Sequence, residues 1–150
     1  KLQRLVPLGP DLAFTVRELP RCLNSPRLSD IRRLKHLRRY VKGMLTLALA
    51  LQATLQLDST VKNDIDIASH VDAHWAGCPD TRKSISGTLT SILGCPATFA
   101  SKTQQVLALS SAESELYSIG SGIAGALHLR SVLLEAQLAN KVQIIAFTDS

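Results

Sequence analysis

Apolar and polar residues alternate most cleanly between positions 64 and 75. Ile65, Ile67, Val71, Ala73 and Trp75 fall on one side of an extended chain, and Asp64, Asp66, His70, Asp72 and His74 fall on the other. That period of two predicts a half-buried β-strand. Leu45, Leu47, Leu49 and Leu51 alternate with Thr46, Ala48 and Ala50 and predict an earlier strand. Ser84 to Leu93 and Ala97 to Gln105 read as two further strands, separated by Gly94-Cys95-Pro96. Val142 to Phe147 is a buried-type strand that runs into Thr148-Asp149-Ser150.

Elsewhere the period is that of a helix. After Pro10-Asp11, the residues Leu12, Val16, Leu19 and Leu23 recur at helical spacing, and Pro20 should kink or end that helix. Ser29 or Asp30 can cap a second helix, whose apolar stripe is Ile31, Leu34, Leu37, Val41 and Leu45 and whose C-cap is Gly43. Ser110 and Glu113 have the spacing of a capping box, opening a long helix with Leu116, Ile119, Ile123, Leu127 and Leu134 as its expected core face. The order is α, α, β, then β, β, β, α, β, without an internal repeat. The pattern lapses between Gln52 and Asn63, which puts the expected domain boundary there, with 1–57 on one side and 58–150 on the other.

Composition narrows the class. The chain has 150 residues, of which 45% are hydrophobic and only 4% aromatic, so a globular core must be built from Leu, Ile, Val and Ala. Charge is uneven along it. Residues 1–43 hold 11 of the 17 Lys+Arg and three acids, a net of +8, whereas residues 44–150 carry a net of −3. A basic segment next to an acidic one fits a polyanion grip joined to carboxylate chemistry, although two solvated faces would give the same sums. Cys22, Cys78 and Cys95 form no CxxC pair, so a reducing, intracellular compartment is the default expectation. Met44 to Leu51, the longest apolar stretch, is far short of the ~20 residues of a membrane span.

Four groups of residues could carry chemistry. Asp72 on a strand, Glu115 near a helix start and Asp149 at a strand end are separated acids of the kind that converge in α/β folds to hold hard divalent cations. Solvated acids on strand faces and helix caps would give the same spacing. His70, His74 and Cys78 could be read as zinc ligands, but the strand pattern spreads them too far for a shared tetrahedral site. Gly120-Ser121-Gly122-Ile123-Ala124-Gly125 fits GxGxxG, so a Rossmann-type dinucleotide-binding fragment is one alternative fold and function, and a non-catalytic nucleic-acid-binding remnant is another. The helical stripe runs through those glycines in phase, which favours small residues packed against a sheet. Arg32, Arg33, Lys35, Arg38, Arg39 and Lys42 form a basic helix suited to nucleic-acid backbone. Ser84-Ile85-Ser86-Gly87 lacks the first glycine of a nucleophile elbow.

These strings also resemble a known family. His70-Val71-Asp72-Ala73-His74-Trp75-Ala76-Gly77 is similar to the S-D-A-D-W-A-G segment of copia-type retrotransposon Pol polyproteins, and Arg82 to Gly87 to their R-R-S-T-S-G. Ser101-Lys102-Thr103-Gln104, followed by Ala108 to Tyr117, resembles S-K-K-Q…A-L-S-S-T-E-A-E-Y. Leu127 to Arg130, Pro10 to Phe14 and Tyr40 to Gly43 extend the likeness in order over nearly the whole chain. The resemblance implies the end of a reverse transcriptase followed by a truncated ribonuclease H-like mixed sheet, an α/β fold preceded by a small helical segment. It implies that Asp72, Glu115 and Asp149 are three of four metal-binding catalytic carboxylates for two Mg²⁺ ions. The implied reaction is cleavage of RNA in an RNA–DNA hybrid by metal-activated water, with the basic helix gripping the hybrid and the remainder of the polyprotein as partner. A fourth carboxylate and a last strand would then lie beyond Ser150, and activity of this segment alone would be weak or absent. Gly9 in place of Arg, Pro20 inside a helix and His74 in place of Asp depart from the family pattern.

Overall fold

The computed structural model describes Leu5, residues 9–44, Thr46 and residues 64–149. The chain divides into two compact units, Lys1–Ala50 and Leu51–Ser150. The expected boundary between residues 57 and 58, and the expected strand over Leu45 to Leu51 apart from Thr46, lie outside the described residues.

In the first unit, a 3-10 turn at Pro10–Leu12 leads into α1 (Ala13–Glu18), which tightens to 3-10 at Leu19–Cys22. Pro20 lies in this last segment, where the missing N–H ends the α-helix as expected. The second helix, α2 (Leu28–Gly43), starts from Arg27 rather than from Ser29 or Asp30. Asp30 sits one turn in, and its carboxylate accepts the Arg27 N–H at 3.0 Å. Leu12, Val16, Leu19 and Leu37 form the core, with Leu5 and Val41 packed on it. Ile31 and Leu34, expected in the stripe, are each 45% exposed. The contact surface of so small a core is narrower than the apolar arc of the helix.

The second unit is a four-stranded sheet with one long helix. The strands are β1 (Asp64–His74), β2 (Ile85–Ile92), β3 (Cys95–Thr103) and β4 (Lys141–Phe147), in the order β3-β2-β1-β4. β1 and β2 are antiparallel, as are β2 and β3, while β4 runs parallel to β1. The α/β class is therefore as expected. Leu93 and Gly94 both take positive φ, 54° and 78°, and close the β2–β3 hairpin as a two-residue turn of type I′ geometry. Cys95 and Pro96, expected in that turn, belong to β3 instead. The register shifts beside them, between Thr90 and Ser91. A proline is tolerated there because β3 is an edge strand.

Helix α3 (Ser111–Glu135) carries the chain from β3 to β4 across one face of the sheet. Ser110 caps it by accepting the Glu113 N–H at 3.1 Å, and Glu113 accepts the Leu109 N–H at 2.7 Å. Its sheet-facing residues are Ser114, Ser118, Gly122, Ala126 and Leu133. The expected core face is therefore corrected in part: Leu134 packs on the apolar core, but Leu116, Ile123 and Leu127 are 67%, 36% and 45% exposed. The helix lies too close to β1 for larger side chains. A Cβ on Gly122 would collide with Val71 and come within 2.9 Å of the Ser69 hydroxyl. Gly120 to Gly125 thus lie inside a helix, not in the strand-to-helix turn that a dinucleotide fingerprint needs. Farther along, Ile65, Ile67, Ala126, Leu133, Ala139 and Val142 make the apolar core.

Candidate functional site

The alternation of β1 survives folding. Ile65, Ile67, Ser69 and Val71 are buried, and Asp64, Asp66, His70, Asp72 and His74 are exposed. Parallel pairing sets His70 beside Phe147, and the two rings stack with centroids 4.8 Å apart and planes 13° from parallel. Two residues farther along the chain from each come Asp72, still on β1, and Asp149, just past the end of β4.

Glu115 arrives from the first turns of α3. β4 pairs with β1 only as far as His70, and the N–H of Ala73 beyond that point is accepted by Glu115 Oε1 at 3.2 Å. Ser118, one turn on, donates its hydroxyl to the Asp72 carbonyl at 2.6 Å. Gln104, which follows the end of β3, donates to the Ser86 hydroxyl at 2.9 Å and to the Ser114 carbonyl at 2.8 Å. The residue preceding Glu115 is thereby tied to the sheet. The sequence pattern did not single out Ala73, Ser118 or Gln104 for this work. The row of small residues at 114, 118, 122 and 126 was the available signal that α3 approaches β1 closely at this end.

The outcome is that Asp72, Glu115 and Asp149 each offer a carboxylate oxygen, all within 4.8 Å of one another. Among the described residues no other group of three His, Cys, Asp or Glu gathers in this way, so His70, His74 and Cys78 do not form a candidate zinc site. The three acids fit a hard divalent cation on two grounds. Their donors are all carboxylate oxygens, and Glu115 Oε2 is buried without a hydrogen-bond partner. Burial pushes the Glu115 carboxyl above the usual carboxylate range. The Ala73 N–H opposes this, while the negative charges of Asp72 and Asp149 add to it. A bound cation would relieve both the burial and the repulsion.

Other candidates resolve differently. Ser84 is fully buried and accepts the Ala76 N–H at 3.1 Å, a structural use of its hydroxyl. Cys22, Cys78 and Cys95 are not disulfide-bonded. In the first unit Arg32, Lys35, Arg38, Arg39 and Lys42 are exposed along α2 and fall within an arc of about 120° at helical spacing. Arg33 lies off that arc and pairs with Asp30 at 3.6 Å. Among the described residues no helix is long and apolar enough to cross a membrane.

No protein-family model matches the chain, and no solved structure matches it significantly. Curated proteins do. The chain is 32% identical over 115 residues to an uncharacterized mitochondrial protein of Arabidopsis thaliana, covering 76% of this chain and 44% of that protein. It is 30% identical over 115 residues to a protein named secreted RxLR effector protein 161 of Plasmopara viticola, covering 77% of this chain and 75% of that protein. It is 27% identical over 118 residues to the retrovirus-related Pol polyprotein from transposon RE1 of Arabidopsis thaliana, covering 79% of this chain and 8% of the polyprotein. The chain thus spans less than half the length of the first of these relatives. With the ordered motifs along the sequence, these similarities lead to one conclusion: the chain belongs to the family of copia-like, retrotransposon-related Pol-type proteins.

Proposed function

We propose that the α/β unit is a ribonuclease H-like nuclease domain acting on the RNA strand of an RNA–DNA hybrid. The observation that carries this reading is the convergence of Asp72 on β1, Glu115 on α3 and Asp149 just after β4 within 4.8 Å. The mixed sheet with its parallel β4 and the family motifs around Asp72 and Glu115 support it. Asp72, Glu115 and Asp149 would hold Mg²⁺. When bound, divalent cations supply Lewis acidity at a phosphodiester and lower the pKa of a coordinated water.

The chain's own residues do the positioning. Ala73 N–H fixes one oxygen of Glu115 and leaves the other free to serve as a ligand. Asp72 stands on β1 and Asp149 two residues past the end of β4, and the register of the two strands is set by the pairs before them. Their exposure leaves them open to a substrate, while the partly buried Glu115 sits where water is less able to screen it. The five cations of the α2 arc would contact phosphates and make hybrid binding fall with salt.

Cleavage of a labelled hybrid tests the proposal. With Mg²⁺ the RNA strand should be cut, slowly by this chain alone, and the DNA strand left intact, with no cutting in chelator. Asp72→Asn should remove several kcal/mol of transition-state stabilisation, about a thousandfold in rate. Cleavage that persists without metal, or that is indifferent to Asp72→Asn, would refute it.

A further inference from the structure

Two glycines near the carboxylates have opposite structural status. Gly122 is demanded by packing, because a Cβ there would run into Val71. Gly87, in the middle of β2, is demanded by nothing in the chain. A Cβ added to it would meet only the Asp72 carbonyl at 3.9 Å, an ordinary contact, and its φ is not in the left-handed region. Glycine inside a strand weakens it and marks places where a ligand or another backbone comes close.

Its location says what comes close. Gly87 pairs directly with Asp72 on one side and with Ser101 on the other. Paired positions share a face of the sheet, so Ser101, Gly87 and Asp72 form one row across the sheet, on the face turned away from α3, and Asp149 follows two residues past the end of β4. The next row on that face is Phe99, Leu89, His70 and Phe147. The missing side chain at 87 leaves a notch beside Asp72, bounded on one side by the bulky residues of the next row.

We infer that Gly87 is a positioning residue for substrate: its bare backbone lets the sugar-phosphate strand of a nucleic-acid duplex lie across the sheet and reach Asp72. This deepens the nuclease reading and rests on it. A Cβ at 87 would enter the notch with no contact closer than 3.9 Å, to the Asp72 carbonyl.

The test uses the full chain with Gly87→Ala and Gly87→Val. Three quantities are measured for each: melting temperature, Mn²⁺ affinity by calorimetry, and affinity for an RNA–DNA hybrid in Ca²⁺. The expected result is hybrid affinity falling in the order Gly, Ala, Val. The valine variant should lose at least about tenfold, the scale of a steric misfit of two methyl groups. Mn²⁺ affinity should stay within about twofold, and melting should be no lower, since valine suits a strand better than glycine. Hybrid affinity indifferent to Gly87→Val would overturn the inference. So would a loss accompanied by weaker Mn²⁺ binding or lower melting, because the glycine would then serve the fold or the metal site. Failure of the unsubstituted chain to bind hybrid at all would instead sink the nuclease reading beneath it.

Discussion

The two ends of the interface between α3 and the sheet are built from different materials. At the far end, Ile65, Ile67, Leu133 and Val142 meet in an apolar core, with Ile92, Leu93, Leu129 and Ile144 around it. At the near end the buried residues are mostly polar, namely Ser69, Ser86, Thr90, Gln104, Ser114 and Ser118, with Val71 and Ile85 among them. Ser69 and Thr90 share a hydrogen bond at 3.3 Å, and Gln104 and Ser118 bond across between sheet and helix. Apolar contact is non-directional and tolerates small shifts, whereas hydrogen bonds fix direction. The far end supplies most of the cohesion. The near end, where the carboxylates stand, supplies geometry.

That division can be broken from either side. Ile67 is fully buried, and Ile67→Ala should cost about 2–5 kcal/mol of stability through the cavity it leaves. Denaturant unfolding measures the loss, and Mn²⁺ affinity of the folded fraction should not change. Gly122→Val strikes the near end by forcing α3 off Val71 and Ser69. Overpacking there should cost about 1–3 kcal/mol. Unlike Ile67→Ala, it should also weaken Mn²⁺ binding, because Glu115 rides on the displaced helix. Ser118→Ala removes one hydrogen bond to the Asp72 carbonyl, a loss of about 1 kcal/mol read by thermal melting.

The smallest effect is that of pH. Glu115 titrates above the usual carboxylate range in the folded chain, so folding favours its protonated form. Its contribution to stability is full below the unfolded carboxylate pKa and is lost as pH rises through the raised folded value. Melting of the metal-free chain should therefore show a small loss over that rise, absent in Glu115→Gln. Cation affinity should run the opposite way, increasing as Glu115 ionises.

Much of this was legible in the sequence, unevenly so. The alternation of residues 64–74 predicted both the strand and its two faces, because a period of two matches the pleat of a strand and no helix. The helix over 111–135 was equally legible, but its buried face was not. Leu116, Ile123 and Leu127 look like core residues by hydropathy, yet the helix turns Ser114, Ser118 and Gly122 to the sheet. Hydropathy registers burial of bulk, and close approach of two backbones selects for the absence of bulk. The hairpin was misplaced for a related reason: Cys95-Pro96 carries a turn signal, while the turn itself uses Leu93 in a left-handed conformation that its side chain does not advertise. The three acids were picked out individually, by their residue type and by family resemblance. Their meeting depends on the parallel register of β4 and on β4 stopping short of Ala73, which are tertiary facts.

The central claim is that Asp72, Glu115 and Asp149 form one cation site, and Mn²⁺ titration of the full chain by calorimetry tests it most directly. The predicted result is saturable binding that is lost or greatly weakened in each of Asp72→Asn, Glu115→Gln and Asp149→Asn, with all three variants still folded. Binding that survives any of these substitutions unchanged, or no saturable binding by the unsubstituted chain, would contradict it.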